Sequence, residues 1–279
     1  MLPHCTPRIA ILAEPRLAYY GMKHTLQQLF PGSPIEEVSS SVLNIQKLTN
    51  YDLLIMPGIN GEDSPYPTLI TPARKQSLRY ALKHNGLCLL TICAATYSLF
   101  DYMFYLKSDG THKDMPGFGF VSGTSRGPAF AHITRAALPT NSKLNDIQLA
   151  GLYNAELNIP FHYHALEFNG PALYPDDKLA HVFLRHACVP ENPAAAIIKP
   201  YGKGLILGFG PHIEIPLTFF KMTSLWQMLE AQKLDFSPHE PSRIALLDTI
   251  KHMITAHVQS LKTGMNHDNL LQHPPYAKI

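Results

Sequence analysis

The chain has 279 residues, 46% hydrophobic and 16% charged, with 23 basic and 21 acidic side chains and a formal net charge of +2. That length can bury a large core, and so even a charge balance excludes a general nucleic-acid binder, which carries a clustered basic excess. No apolar run approaches bilayer length, and the N-terminal run Ile9 to Ala13 is too short for a signal-peptide core, so a soluble cytoplasmic protein with no membrane or nucleic-acid partner is expected.

Arg8 to Ala13 is a β-branched apolar run and reads as a buried strand. A helix is expected from Ala18 to Phe30. Pro34 to Ser39 is a more polar strand, suited to a sheet edge. Tyr51 to Met56 is another buried strand, stopped by Pro57-Gly58. Gly58 to Pro67 is rich in Gly, Pro, Asn and Asp and reads as a loop. Thr71-Pro72 has the pattern of an N-cap with proline at the first helical position, and Asn85-Gly86 that of a helix C-terminus. Leu87 to Ile92 is the next buried strand. Cys93 follows directly, and an apolar helix is expected from Ala94 to about Tyr105.

From Ser108 to Pro190 the pattern is less regular. Strand-like runs occur at Gly117–Ser122, His162–Phe168 and Ala180–Leu184. Ala194 to Lys199 and Leu205 to Phe209 form a hairpin around Gly202 and Gly204. Two helices are expected to close the fold. One spans about Leu217 to Ala231. The other has Ser242 as N-cap and apolar positions from Ile244 to Leu261 at helical spacing. Residues 1–262 read as one domain and 263–279 as a frayed tail. Alternation of strands and helices indicates a parallel sheet covered on both faces, with ligands beyond the carboxyl ends of its strands.

The four cysteines, Cys5, Cys88, Cys93 and Cys188, fit neither a paired CxxC metal site nor a disulfide framework. Cys93 stands between a buried strand and a helix N-terminus, in LCLLTICAATY. A sharp turn there pushes a side chain into a cleft, and the helix N-terminus favours a thiolate and a developing oxyanion. The alternative is a buried structural cysteine. GFGPHIEIP places His212 after a buried strand and Glu214 two residues on. An imidazole to take the thiol proton and a carboxylate to orient it would complete a nucleophilic site. With 15 histidines in the chain, a solvated loop histidine beside a surface acid is the competing reading. In MPGINGEDSPY, the turn at Gly58 could present the N–H of Ile59 or Asn60, with that of Ala94, as an oxyanion hole. An ordinary turn is the plainer reading of that stretch. His162 and His164 share a strand face, half of what a metal site needs. No third or fourth ligand stands nearby in sequence, so neither metal nor cofactor is expected.

The order of glycine loop, cysteine elbow and HxE resembles the class I glutamine amidotransferase-like superfamily. More narrowly, the chain is similar to the biotin-protein ligase N-terminal domain family. The similar stretches run from Arg8 to Glu214: RIAILAEPRLAYYG, YDLLIMPGINGEDSPY, ICAATY, GFVSGTSRGPAF, HALEFNGPALYP and AAIIKPYGKGLILGFGPHIE. The resemblance implies an α/β fold with a flavodoxin-like three-layer α/β/α core, a mostly parallel sheet and β-rich insertions. It also implies a Cys93–His212–Glu214 triad, with Asn60, Asp63, Tyr66 and Arg126 lining the pocket. Arg126 could equally be a surface residue or an ion-pair partner. Thr91 and Ala95 stand where glycines flank the cysteine in typical members, and Gly58-Ile59 replaces a Gly-Gly pair. No biotinyl-adenylate loop of the ligase type is present, so biotin ligation is not expected. With no synthase domain in the sequence, an amide-transfer partner would be a separate chain. Two functions follow: a thiol-dependent hydrolase or amidotransferase-like protein acting on a small-molecule or peptide amide, or a ligand-binding or regulatory module on the same fold.

Overall fold

The computed structural model describes residues 6–15, 17–18, 20–59, 62–130, 147–154, 162–218 and 236–263. Asn60, Cys5, most of the expected Leu217–Ala231 helix and the segment after Thr263 lie outside the described residues.

The first half alternates strand and helix as its hydrophobic pattern requires. β1 (Ile9–Leu12) leads through the short β2 (Leu17–Ala18) to helix α1 (Tyr20–Leu29), then to β3 (Ile35–Val38). The four-residue helix α2 (Ile45–Leu48) precedes β4 (Leu53–Met56) and the two-residue β5 (Gly58–Ile59). Helices α3 (Tyr66–Leu69) and α4 (Pro72–Tyr80) follow, α4 continuing as a π turn over Ala81–Asn85. Next come β6 (Cys88–Ile92) and α5 (Ala94–Leu99). The expected cap is present: the Thr71 hydroxyl accepts from the Arg74 N–H at 3.4 Å.

β3, β1, β4, β6 and β15 (Gly204–Phe209) lie side by side in that order, all parallel. β1, β4, β6 and β15 are buried at every position, as strands covered on both faces must be, while β3, at the edge, exposes Glu36 and Glu37. The path from β1 to β3 crosses the sheet one way, and those from β3 to β4 and β6 cross it the other way. Right-handed crossovers therefore put α1 on one face and α2 to α4 on the other. The packing agrees. α2 lies on α4 and α3 on α5, while α1 contacts α6 (Glu240–Thr263), the C-terminal helix. No helix among the described residues is long and apolar enough to cross a membrane.

Beyond β15 the sheet changes character. β14 (Ala194–Tyr201), β12 (Ala172–Pro175), β9 (Val121–Gly127), β7 (Phe100–Leu106) and β8 (His112–Pro116) extend it, mainly antiparallel. β10 (Ile147–Asn154), β11 (His162–Phe168) and β13 (His181–His186) branch from β14. This is the β-rich insertion the middle of the sequence suggests.

Four expectations need correction. The helix after Cys93 stops at Leu99, and Phe100 to Leu106 is a strand. The carbonyls of Ser98 and Leu99 accept the N–H groups of Phe118 and Phe120 at 2.6 and 2.9 Å, and the aromatic run Phe100-Asp-Tyr-Met-Phe-Tyr suits a pleated surface better than a helix. Of the strand expected at Gly117–Ser122, the first four residues are the link between β8 and β9, and only Val121 and Ser122 are strand. Ser242 lies inside α6, two residues past its start, and its hydroxyl donates back to the His239 carbonyl at 2.8 Å. The short stretch Gly58–Ile59, expected as loop, pairs with Leu17–Ala18 as a two-residue ladder.

Candidate active site

Three neighbouring parallel strands, β4, β6 and β15, end on one rim of the sheet. Register places Met56 beside Thr91 and Ile92 beside Phe209. The chain leaving each strand therefore brings Gly58, Cys93 and His212 to one level. Cys93 has φ 52° and ψ −112°, outside the regions a side chain normally occupies. Its backbone is held there from both sides. The Cys93 N–H donates to the Phe209 carbonyl at 2.8 Å, and its carbonyl accepts from Thr96 and Tyr97 at 2.9 and 3.1 Å. This is the sharp strand-to-helix turn that aims a side chain off the sheet.

His212 Nδ1 lies 2.7 Å from Glu214 Oε1, and the ring also hydrogen-bonds Cys93. With Nδ1 engaged by the carboxylate, Nε2 is the nitrogen left for the thiol. All three side chains are buried, Cys93 at 5%, His212 at 4% and Glu214 at 2% exposure. Burial by itself drives the imidazole toward its neutral form. The Glu214 and Cys93 charges and the hydrogen bonds to both outweigh it and hold His212 well above its ordinary range. The thiol also lies 3.5 Å from the Phe168 carbonyl, and the Phe168 ring meets the imidazole edge-on at 5.4 Å between centroids.

The HxE segment is tied down along its length. His212 N–H donates to the Leu166 carbonyl at 2.7 Å, Arg243 Nη1 to the Ile213 carbonyl at 2.8 Å, and the Thr25 hydroxyl to the Glu214 carbonyl at 2.8 Å. Glu240, ion-paired with Arg243, accepts the Leu217 N–H at 2.6 Å. Helices from both ends of the chain thus fix the strip that carries His212.

Gly58 sits between the two reactive groups. A Cβ there would stand 2.7 Å from His212 Cε1 and 3.3 Å from Cys93 Cβ. Ile59 is fixed by its pairing with Leu17, and Ala94, first residue of α5, carries one of the N–H groups that a helix start leaves without an intrahelical acceptor.

Of the other described residues expected around the pocket, Tyr66 lies under the site, and Asp63 and Arg126 fall elsewhere. Tyr66 is fully buried, and its hydroxyl donates to the Pro57 carbonyl at 2.6 Å. It braces the Gly58 turn from beneath instead of presenting its hydroxyl to an open cleft. Asp63 is a surface residue paired with Lys107 at 3.0 Å and Lys113 at 3.3 Å. Arg126 is exposed on β9, its guanidinium over the rings of Phe104 and Tyr174 at 5.4 and 5.3 Å. His164 bonds the Ser242 hydroxyl at 2.8 Å and stacks on His239 at 4.1 Å between centroids. Among the described residues no group of three or more His, Cys, Asp or Glu is placed to hold a metal ion.

Two residues near the thiol escaped the sequence reading. Tyr97 on α5 donates its hydroxyl to the Asn169 carbonyl at 2.9 Å. Glu167 on β11 is 1% exposed, next to the Phe168 carbonyl that meets the thiol. An acid at the same strand parity as the apolar Tyr163 and Ala165 was the available signal for Glu167.

No protein-family model matches the chain. An uncharacterized protein of Chlamydia muridarum (strain MoPn / Nigg) is 25% identical over 224 residues, covering 74% of this chain and 80% of that protein. A solved glutamine amidotransferase from Methylobacillus flagellatus aligns with a TM-score of 0.46 at 14% identity, over 92% of this chain and 95% of its own. Another solved glutamine amidotransferase aligns with a TM-score of 0.52 at 17% identity, over 74% of this chain and 90% of its own. The backbone of this protein therefore has the α/β fold of a glutamine amidotransferase.

Proposed function

We propose that the protein is a thiol-dependent hydrolase or amidotransferase-like enzyme acting on a small amide or similar carbonyl compound through Cys93, His212 and Glu214. The observation that carries this reading is the strained Cys93 elbow facing an imidazole that is itself bonded to a buried carboxylate. The thiolate attacks the carbonyl carbon, a C–S bond forms, and the carbonyl oxygen takes the negative charge. The N–H groups of Ala94 and Ile59 are the candidate donors for that oxygen. Collapse of the intermediate breaks the C–N bond as His212 Nε2 delivers its proton to the departing nitrogen. Water then attacks the thioester, His212 takes a proton from it, and Cys93 is released with a carboxylic acid. Glu214 holds the imidazole in orientation throughout. The near-complete burial of the three side chains favours a small substrate. The motif stretches similar to the biotin-protein ligase N-terminal domain family support a relationship to that accessory domain, and not to the ligating domain.

A binding or regulatory module is the second reading, favoured by the Phe168 carbonyl beside the thiol, which suits a protonated sulfur better than a thiolate. The two readings separate in one experiment. Alkylation of each cysteine is followed against pH by mass spectrometry in the native protein and in His212→Ala. Cys188, exposed, is the reference, and Cys88, whose thiol burial pushes far up, is the inert control. The enzyme reading requires Cys93 to react well below the pH at which Cys188 does, and to lose that advantage without His212. A Cys93 that is inert in both proteins rejects it.

A further inference from the structure

Among the described residues, Glu167 is the buried acid near the thiol that the reaction above leaves unused. It is 1% exposed, and its Oε2 is buried with no hydrogen-bond partner. An orphaned buried carboxyl oxygen is costly to the fold, and an apolar side chain in its place would not carry that cost. Its other oxygen, Oε1, accepts the Gly170 N–H at 2.5 Å and so closes the turn Glu167–Gly170. That turn touches the site at every residue. The Phe168 carbonyl meets the Cys93 thiol, the Phe168 ring meets His212, the Asn169 carbonyl accepts from Tyr97, and Gly170 packs against Gly210, two residues before His212.

We propose that Glu167 is a positioning residue of the Cys93 site: its carboxyl clamps the Phe168–Gly170 turn against the thiol, and its charge adds to that of Glu214 in holding a proton on His212. The assignment rests on the Cys93–His212–Glu214 reading and deepens it. The titratable groups around Glu167 are His212, from the strand end after β15, and Tyr97, from α5, with Cys93 and Glu214 bonded to His212. Burial raises the Glu167 carboxyl, His212 and the N–H groups of Gly170 and Phe168 lower it, and the balance leaves it at about 7. Its charge therefore changes within the working range of most enzymes. As pH rises, the Glu167 charge joins that of Glu214 near the imidazole. The imidazole then keeps its proton to a higher pH than Glu214 alone would allow.

The test is a titration of His212 by NMR in protein labelled with 15N-histidine, its signal identified by its loss in His212→Asn. Glu167→Gln keeps an acceptor for the Gly170 N–H and removes the charge. The expected result is that His212 loses its proton about one pH unit or more lower in Glu167→Gln than in the native protein, with an unchanged melting temperature below pH 6. An unshifted His212 titration in a folded Glu167→Gln overturns the proposal, because a purely structural clamp would survive the substitution. Should that variant fold poorly, 13C-carboxyl labelling of glutamate in the native protein decides instead. A buried carboxyl that titrates near pH 7 together with a His212 inflection supports the coupling, and a Glu167 signal that titrates with the exposed glutamates rejects it. Cys93 alkylation in the same samples keeps the two readings apart. If His212 moves while Cys93 is unreactive, the coupling stands and the enzyme reading falls.

Discussion

Gly58→Ala is the most direct probe of whether the three strand ends form one working unit. The substitution adds a single methyl group at a position with ordinary backbone conformation. That methyl carbon would lie 2.7 Å from His212 Cε1 and 3.3 Å from Cys93 Cβ. Carbon atoms rest at about 3.5–4.0 Å, so the imidazole must retreat by roughly 0.8 Å or the loop must lift by as much. His212 cannot retreat freely, since its backbone N–H is bonded to Leu166 and its Nδ1 to Glu214. Either adjustment separates thiol from imidazole, or moves the Ile59 N–H away from where an oxyanion would form. Overpacking of this kind costs about 1–3 kcal/mol of stability, and a misplacement approaching 1 Å costs up to about 100-fold in reactivity. The assay is the rate of Cys93 alkylation by iodoacetamide at neutral pH, with near-ultraviolet circular dichroism as the check on folding. A drop of roughly 10-fold or more in a folded variant is expected. A folded Gly58→Ala protein with the native rate and pH profile would refute the argument, because it would mean that Cys93 and His212 do not depend on each other's placement.

Arg243→Met tests the clamp on the HxE strip: it leaves Glu240 without its ion pair and the Ile213 carbonyl without its donor, so a loss of about 3–5 kcal/mol is expected in urea denaturation. Asp177→Asn tests the pair that joins β14 to the turn after β12. Burial raises the Asp177 carboxyl, but the hydrogen bond from Lys199 and the N–H groups of Leu179 and Ser122 lower it more, leaving it below its ordinary value of 3.8. A lowered carboxyl stabilises the fold above its ordinary value and loses that contribution as pH falls through the lowered one. Native protein should therefore exceed Asp177→Asn by about 2 kcal/mol at neutral pH, with the gap narrowing as pH falls below the ordinary carboxyl value of 3.8, measured by denaturant titration across that range.

Much of the core was legible because its signals are local. β1, β4, β6 and β15 are short apolar runs, two of them, β4 and β15, cut off directly by Gly or Pro, and a strand buried on both faces has no other sequence signature. The same locality marked Cys93 and His212, each the first residue or nearly so past such a run. The errors came where one pattern served two structures. Phe100 to Leu106 is as apolar as the helix before it, and only the N–H groups of Phe118 and Phe120, about 20 residues on, end α5 at Leu99. Ser242 has the composition of a cap, yet inside the helix its hydroxyl donates to the His239 carbonyl while its oxygen is bonded by His164 Nδ1. Arg243 gained its place through a partner far away in sequence, the Ile213 carbonyl. Asp63 and Arg126, drawn toward the pocket by family resemblance, are occupied at the surface by lysines and by aromatic rings.

The missing elbow glycines have a spatial explanation. A helix that starts directly off a strand end must lie close over the sheet, and somewhere beneath it a side chain has to be absent. In this protein the vacancy is on the next strand. Gly208 of β15 pairs in register with Thr91 of β6. A Cβ on Gly208 would meet Leu99 Cδ1 at 2.9 Å and Thr96 Cγ2 at 3.3 Å, both on α5. The helix thus settles over Gly208, and Thr91 can carry a side chain. That side chain is then put to structural use. The Thr96 hydroxyl donates to the Phe209 carbonyl at 2.7 Å, so the Thr91 hydroxyl, 3.0 Å away, donates to Thr96. The same Phe209 carbonyl accepts the Cys93 N–H. A chain of hydrogen bonds therefore runs from β6 through α5 to β15 and ends on the acceptor that holds the strained cysteine. What the elbow requires is room under the helix and a fixed acceptor behind the nucleophile, and both requirements are met by residues that a motif written along one strand does not contain.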